Sequence, residues 1–294
     1  MTSDGPRPTR DGTAPSHIPR PAADDEKPGP INSAAMSTAP VTPRPRAERR
    51  VFLTAEWRYL VMVNYTVDPA VLAPRVPAGT ELDLYRGAAI ATMVGFRFLR
   101  TRVLGVPVPG HTSFDEVNLR FYVRHTTAGG EVRRGTTFVR EIVPRALVAR
   151  TARLCYNEPY VALPMRSSAP RAPNDPARGR LAYAWRGGGR DPRRWHTLEA
   201  TVAGPAAPLA AESEAEFVAE HYWGYTRQRD GGTVEYQVRH PRWRAWPADG
   251  ARLDADVAGL YGPEFAEALG AAPRSAFVAE GSPVAVYFPR RLRG

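Results

Sequence analysis

From Val51 onward the chain is a succession of short apolar runs with a period of two, broken by glycine turns. That alternation restricts the fold more than any other feature. Residues 116–125 place Val117, Leu119, Phe121 and Val123 on one face of a strand and Glu116, Asn118 and Arg120 on the other. Ala128-Gly129-Gly130 then joins this run to residues 131–143, the signal of a hairpin. Comparable runs occupy 51–67, 81–85, 88–99, 160–165, 180–186, 195–203, 233–240, 242–246, 252–256 and 276–288, the last broken at Gly281-Ser282-Pro283. Helix signals are few. Asp68 caps a turn begun by Pro69, Pro144 opens a helix over 144–154, and Ser213 with Glu216 forms a capping box for a helix to Tyr222. Residues 261–269 read as the last helix. Many strands with few helices predict a mainly β (α+β) fold, an antiparallel barrel or sandwich with decorating helices.

Residues 1–48 are rich in Pro, Arg, Ala, Ser and Thr and show no hydrophobic period, so they are predicted to be a disordered tail. Residues 49–294 show no repeat and no domain-sized shift of composition, which predicts a single domain. Residues 167–179 are polar and proline-rich and read as a mobile loop. The formal net charge is +10, but its arginines are scattered among acids rather than gathered in a stripe. This argues against a nucleic-acid partner. The single cysteine, Cys155, excludes an intrachain disulfide and reads as a buried, inert thiol in a helix. No run reaches the ~18–20 apolar residues of a membrane span. Neither is there a stretch of signal-peptide type. A cytoplasmic protein without a membrane partner is expected, with homo-oligomerisation left open.

Five stretches carry a family resemblance. They are Glu116-Val117-Asn118-Leu119-Arg120-Phe121-Tyr122; Phe138-Val139-Arg140-Glu141-Ile142-Val143-Pro144-Arg145; Tyr156-Asn157-Glu158-Pro159-Tyr160; His221-Tyr222-Trp223-Gly224-Tyr225-Thr226-Arg227, running on to His240-Pro241-Arg242-Trp243; and Glu280-Gly281-Ser282. Together they resemble the YqjF-like family of uncharacterised proteins, domain of unknown function 2071, across nearly all of residues 51–287. That family is similar in turn to acetoacetate decarboxylase. The resemblance implies a closed, mainly antiparallel β-barrel around a small-molecule pocket. In the decarboxylase an Arg-Glu pair precedes Pro-Lys-Lys, whose first lysine forms a Schiff base. Here Arg145 and Ala146 follow Pro144, and the chain's only lysine is Lys27, in the tail. Arginine stays protonated and cannot form a Schiff base, so lysine-dependent decarboxylation is not expected.

The candidate residues follow from these stretches. Arg140 and Glu141 point to opposite faces of their strand, so one enters the barrel. An inward arginine would grip a carboxylate or enolate through its planar fork; alternatively Arg140, Glu141 and Arg145 form a structural ion pair. Glu116, Asn118 and Arg120 line either a pocket or a solvated strand face. Asn157 and Glu158 either satisfy a helix end or form a polar cluster at the barrel mouth. His221 suits acid–base work, whereas Trp223, Tyr225 and Arg227 suit either a binding wall or an aromatic plug. Glu141, His221 and Arg145 are the catalytic candidates. Asn118, Arg120, Arg140, Glu158, Tyr225 and Arg227 are the ligand-binding ones. No metal-ligand spacing and no phosphate or dinucleotide motif occurs, so neither metal nor cofactor is expected. The expected ligand is a small organic acid or carbonyl compound. The alternative is a non-enzymatic sensor or scaffold whose barrel is filled by Trp57, Phe96 and Trp223.

Overall fold

A computed structural model describes residues 49–171 and 178–292. The expected disordered tail, residues 1–48, and the centre of the expected mobile loop, residues 172–177, lie outside the described residues.

The long strands are β1 (Val51–Thr66), β2 (Ile90–Val103), β3 (Phe114–Thr126), β4 (Val132–Val143), β5 (Arg180–Arg186), β6 (Trp195–Val202), β7 (Trp223–Arg227), β8 (Thr233–Arg239), β9 (Arg244–Asp254) and β10 (Ser275–Tyr287). The α-helices are α1 (Pro69–Leu72), α2 (Ala146–Tyr156), α3 (Glu214–Ala219), α4 (Val257–Tyr261) and α5 (Ala266–Gly270). Strand pairing runs in a ring, β1-β2-β3-β4-β7-β8-β10 and back to β1. From β10 a second sheet continues through β9, β6 and β5 to the short strand Met165–Ser167.

The ring is not wholly antiparallel. Trp223 and Gly224 of β7 pair in parallel with Gly135 and Thr136 of β4, and Tyr160–Ala162 also runs parallel to β4. Both strands reach β4 after a helix, α3 and α2, rather than through a hairpin, and a crossover is what parallel pairing requires. Other boundaries also shifted. The runs at 242–246 and 252–256 are one strand, β9. The helix expected over 261–269 is divided into α4, a 3-10 turn at Pro263–Phe265 and α5. Gly262, at φ 113°, breaks it just before Pro263. Cys155 is exposed rather than buried, because α2 turns Ala149 and Tyr156 inward and leaves Leu154 and Cys155 outside.

Strand β3 is buried on both faces. Val117, Leu119, Phe121 and Val123 pack outward against Tyr183, Trp185, Leu198 and Ala200 of the second sheet and against Leu260 and Phe265. The opposite face points into the ring, whose apolar lining includes Leu60, Met62, Val94, Phe96, Phe98, Phe114 and Val143. Two irregularities tune what enters the ring. A bulge at Val139 opposes Leu119 and Arg120 to Arg140 and Phe138, so Phe138 and Glu141 both point inward. At Gly281, φ is +76°, and an added Cβ would sit 1.9 Å from the Trp57 carbonyl oxygen, so only glycine fits opposite Arg58.

Leu119 is fully buried between the two layers. Leu119→Ala should therefore cost about 2–5 kcal/mol by urea denaturation, whereas Arg145→Ala, on an exposed side chain, should stay within ~0.5 kcal/mol.

Candidate functional site

Inside the ring lies a cavity of about 280 Å³, close to the lower end of the size that holds small ligands. Its walls come from the inward residues of β1, β2, β3, β4 and β8 and from α2, which contributes Val148, Thr151, Ala152 and Tyr156. Trp57, Phe96 and Trp223 stand on the wall of this space and leave it open.

Three glutamates meet at one part of the wall. Glu116 of β3, Glu141 of β4 and Glu158, just after α2, are 2%, 1% and 6% exposed. Glu116 accepts from Asn118 Nδ2 and from the Tyr160 hydroxyl, both at 2.9 Å. Glu158 accepts from the Tyr236 hydroxyl and, at 3.4 Å, from Thr226 Oγ1. None of the three forms an ion pair among the described residues. Burial pushes the Glu116 and Glu158 carboxyls up to about 7, against the hydrogen bonds that favour their ionised forms. Burial, reinforced by Glu158 and Glu116, holds Glu141 well above the ordinary carboxylate range. Near pH 7 the cluster therefore retains protons, which its members share rather than own individually.

Gly224 makes one of these bonds possible. An added Cβ there would lie 2.0 Å from Cζ of Tyr236, so the phenol crosses β7 at the position where no side chain intervenes.

Arg120 lies two residues beyond Asn118 on the same inward face of β3. It is 9% exposed and has no carboxylate partner among the described residues. Its one hydrogen bond is a long one, Nη2 to the Val218 carbonyl at 3.4 Å, and Nε has none. Beyond it, the His221 ring lies tilted by 32° against Tyr122, 4.5 Å between centroids, and meets Asp83 through Nε2 at 3.2 Å. Burial lowers His221 to about 4, so the imidazole is neutral near pH 7. Asp83 is lowered despite its own burial, by hydrogen bonds from His221 and Arg134.

The cavity wall thus carries several buried polar atoms with no partner: Trp57 Nε1, Thr101 Oγ1, Asn118 Oδ1, Arg120 Nε, Glu141 Oε2 and His221 Nδ1. Buried polar atoms are usually satisfied, and orphans gathered on one cavity are ready contacts for a ligand. No group of His, Cys, Asp and Glu among the described residues has the geometry of a metal site.

Of the residues expected from sequence, Asn118, Arg120, Glu141, Glu158 and His221 come together on this cavity. The other four do not reach it. Arg140 points to the outer side, near Tyr261. Arg145 is exposed at the start of α2. Tyr225 belongs to the outer core, its ring across Gly135 and its hydroxyl donating to the Arg133 carbonyl at 3.3 Å. Arg227 is exposed and reaches the Pro74 carbonyl at 3.4 Å. Asn157 plays the plain structural part, capping α2 in the left-handed region and donating to the Arg227 carbonyl. Sequence reasoning missed Tyr160, Tyr236 and Asp83. Gly224 was the available signal for Tyr236, but its meaning depends on the pairing of β7 with β8.

The model of the family of uncharacterised conserved proteins known as DUF2071 matches residues 54–283. The chain belongs to this family. Uncharacterised protein YqjF of Bacillus subtilis is 28% identical over 204 residues, 68% of this chain and 76% of YqjF. Among solved structures, acetoacetate decarboxylase from Legionella pneumophila superposes with a TM-score of 0.57 at 14% identity, covering 86% of this chain and 93% of that one. The enduracididine biosynthesis enzyme MppR, in complex with pyruvate, gives 0.57 at 16% identity, covering 90% and 98%. At such identities these likenesses show that this DUF2071 chain shares the acetoacetate-decarboxylase-like fold, and the site rests on its own residues.

The glutamate cluster makes stability depend on pH with a definite sign. Carboxyls held above their unfolded value of 4.5 keep protons in the folded state, so their contribution is present below that value and is lost as pH rises towards 7. His221, held low, acts oppositely: its contribution is lost as pH falls from 6.5 towards 4. Comparing wild type with Glu141→Gln isolates the first effect. Between pH 5 and 8 the wild type should lose about 1–3 kcal/mol relative to the variant, read from urea denaturation at each pH. Parallel pH profiles would contradict the assignment.

Proposed function

We propose that the strand ring is a closed, mainly antiparallel barrel that binds a small organic acid or carbonyl compound within a single domain, residues 49–294. The observation that carries this reading is Arg120: a buried guanidinium on the cavity wall that forms no ion pair among the described residues, with Glu116 the one carboxyl of the cluster that feels its charge. A guanidinium stays charged when buried, and an unpaired buried charge is costly. A ligand carboxylate or enolate supplies the missing partner through the planar fork. Pyruvate, bound by the structurally similar MppR, is a compound of this class.

The reading excludes lysine Schiff-base chemistry. Lys27 lies outside the described residues, and the matched position, Arg145, is exposed. The groups present suit electrostatic stabilisation of a carboxylate or enolate by Arg120, with Glu141 as the proton carrier. His221, neutral and hydrogen-bonded to Asp83, is a positioning residue in this scheme.

Titration calorimetry with pyruvate and butanoate tests the reading. Arg120→Gln should weaken carboxylate binding by about 10–100-fold, and Arg145→Gln should leave it unchanged. Equal affinity in wild type and Arg120→Gln would overturn the proposal.

A further inference from the structure

The free valences on the cavity wall are unevenly distributed. At Arg120 the orphan is a donor, Nε. One alternate position along β3, about 7 Å away, the orphan is an acceptor, Asn118 Oδ1. In the structure Nδ2 donates to Glu116 Oε1 at 2.9 Å, which leaves Oδ1 turned away from that carboxylate. Directly across the strand pair, Asn118 opposes Glu141, whose Oε2 is also unpartnered. The donors already present, Tyr160, Tyr236, Thr226 and Asn118 Nδ2, serve Glu116 and Glu158, with Tyr160 also in hydrogen-bonding reach of Glu141, and none of them reaches Asn118 Oδ1 or Glu141 Oε2. What remains at this end is a pair of unpartnered oxygens among three carboxyl groups that form no ion pair among the described residues, with Arg120 acting on Glu116 only through its field.

We propose that this end of the cavity receives a cationic nitrogen, so that the ligand is a zwitterion with its carboxylate on Arg120 and an ammonium or guanidinium group on Asn118 Oδ1 and Glu141 Oε2. The inference rests on the binding reading above and narrows its ligand class. Asn118 accepts at every pH, so a group that only accepts hydrogen bonds, such as a ketone oxygen or a second carboxylate, leaves Oδ1 unsatisfied. A cation with N–H donors satisfies both orphans and supplies the charge that three buried carboxyls lack. The rings of Trp57, Tyr156, Tyr160 and Tyr236 on the same wall add faces that attract a cation.

The proton content of the cluster gives the inference a sign. The groups acting on Glu141 are Glu116 from β3, Glu158 and Tyr160 from the segment after α2, and Tyr236 from β8; Arg120 of β3 acts on Glu116, Tyr156 of α2 lies in the field of Glu158, and His221 before β7 lines the same cavity. Glu116 and Glu158 titrate near 7, so a bound cation draws protons off the cluster and its affinity rises with pH. A ligand held by protonated carboxyls, as a carbonyl oxygen would be, shows the reverse.

Titration of the full-length protein with 4-aminobutanoate and with butanoate, at pH 6 and pH 8, decides the matter. The amino acid should bind at least about tenfold tighter than butanoate at pH 8, and tighten about tenfold from pH 6 to pH 8. Glu141→Gln should remove both differences; the pH arm on the wild type stands without any variant. Butanoate binding as tightly as the amino acid, or an affinity for the amino acid that falls with pH, would overturn the zwitterion and leave the carboxylate reading intact. Binding of neither compound would overturn both.

Discussion

The structure depends on strand β3 being buried on both sides. Its apolar face is sealed between the ring and the second sheet, where Val117, Leu119, Phe121 and Val123 have no exposure to solvent. That packing sets the phase of the strand, and a period of two leaves no freedom in the other face. Glu116, Asn118 and Arg120 are driven into the ring because their neighbours are driven out. The chain buries a carboxyl, an amide and a guanidinium in a row as a consequence of forming its core, at a desolvation cost for each.

Much of this was legible in the sequence, because alternation and glycine turns are local signals. The hairpin of β3 and β4, the capped helices and the opposite directions of Arg140 and Glu141 all follow from short-range periodicity. The choice between a solvated and an enclosed face for Glu116, Asn118 and Arg120 does not, since period alone cannot say whether a second wall closes over a strand. The bulge at Val139, which brings Phe138 and Glu141 into the same interior, has no local signature either. Tyr225 and Arg227 share a motif with His221, but His221 precedes β7, and within the strand Gly224 and Thr226 face the glutamate cluster while Tyr225 lands in the outer core. Cys155 was misjudged because the helical pattern counted Leu147 and Leu154 as core, although they are 51% and 75% exposed.

The electrostatics of the cavity divide along β3. At one end burial keeps three carboxyls partly protonated; two residues further on stands a guanidinium that cannot release its proton. The Tyr160 and Tyr236 hydroxyls and the Asn118 amide hold the carboxyls in place without neutralising them. The acetoacetate-decarboxylase-like fold is retained here with no lysine among the described residues; the guanidinium on the cavity wall is that of Arg120 on β3, and Arg145 after β4 is exposed.

The central claim is that this interior is a binding site for a small organic acid and not a filled core. Native mass spectrometry of the purified protein, set against its denatured mass, tests it most directly. The account predicts a small carboxylate that is lost on denaturation, or one that is taken up when a panel of organic acids is added to the bare protein. A bare native mass that no acid in the panel changes would contradict it.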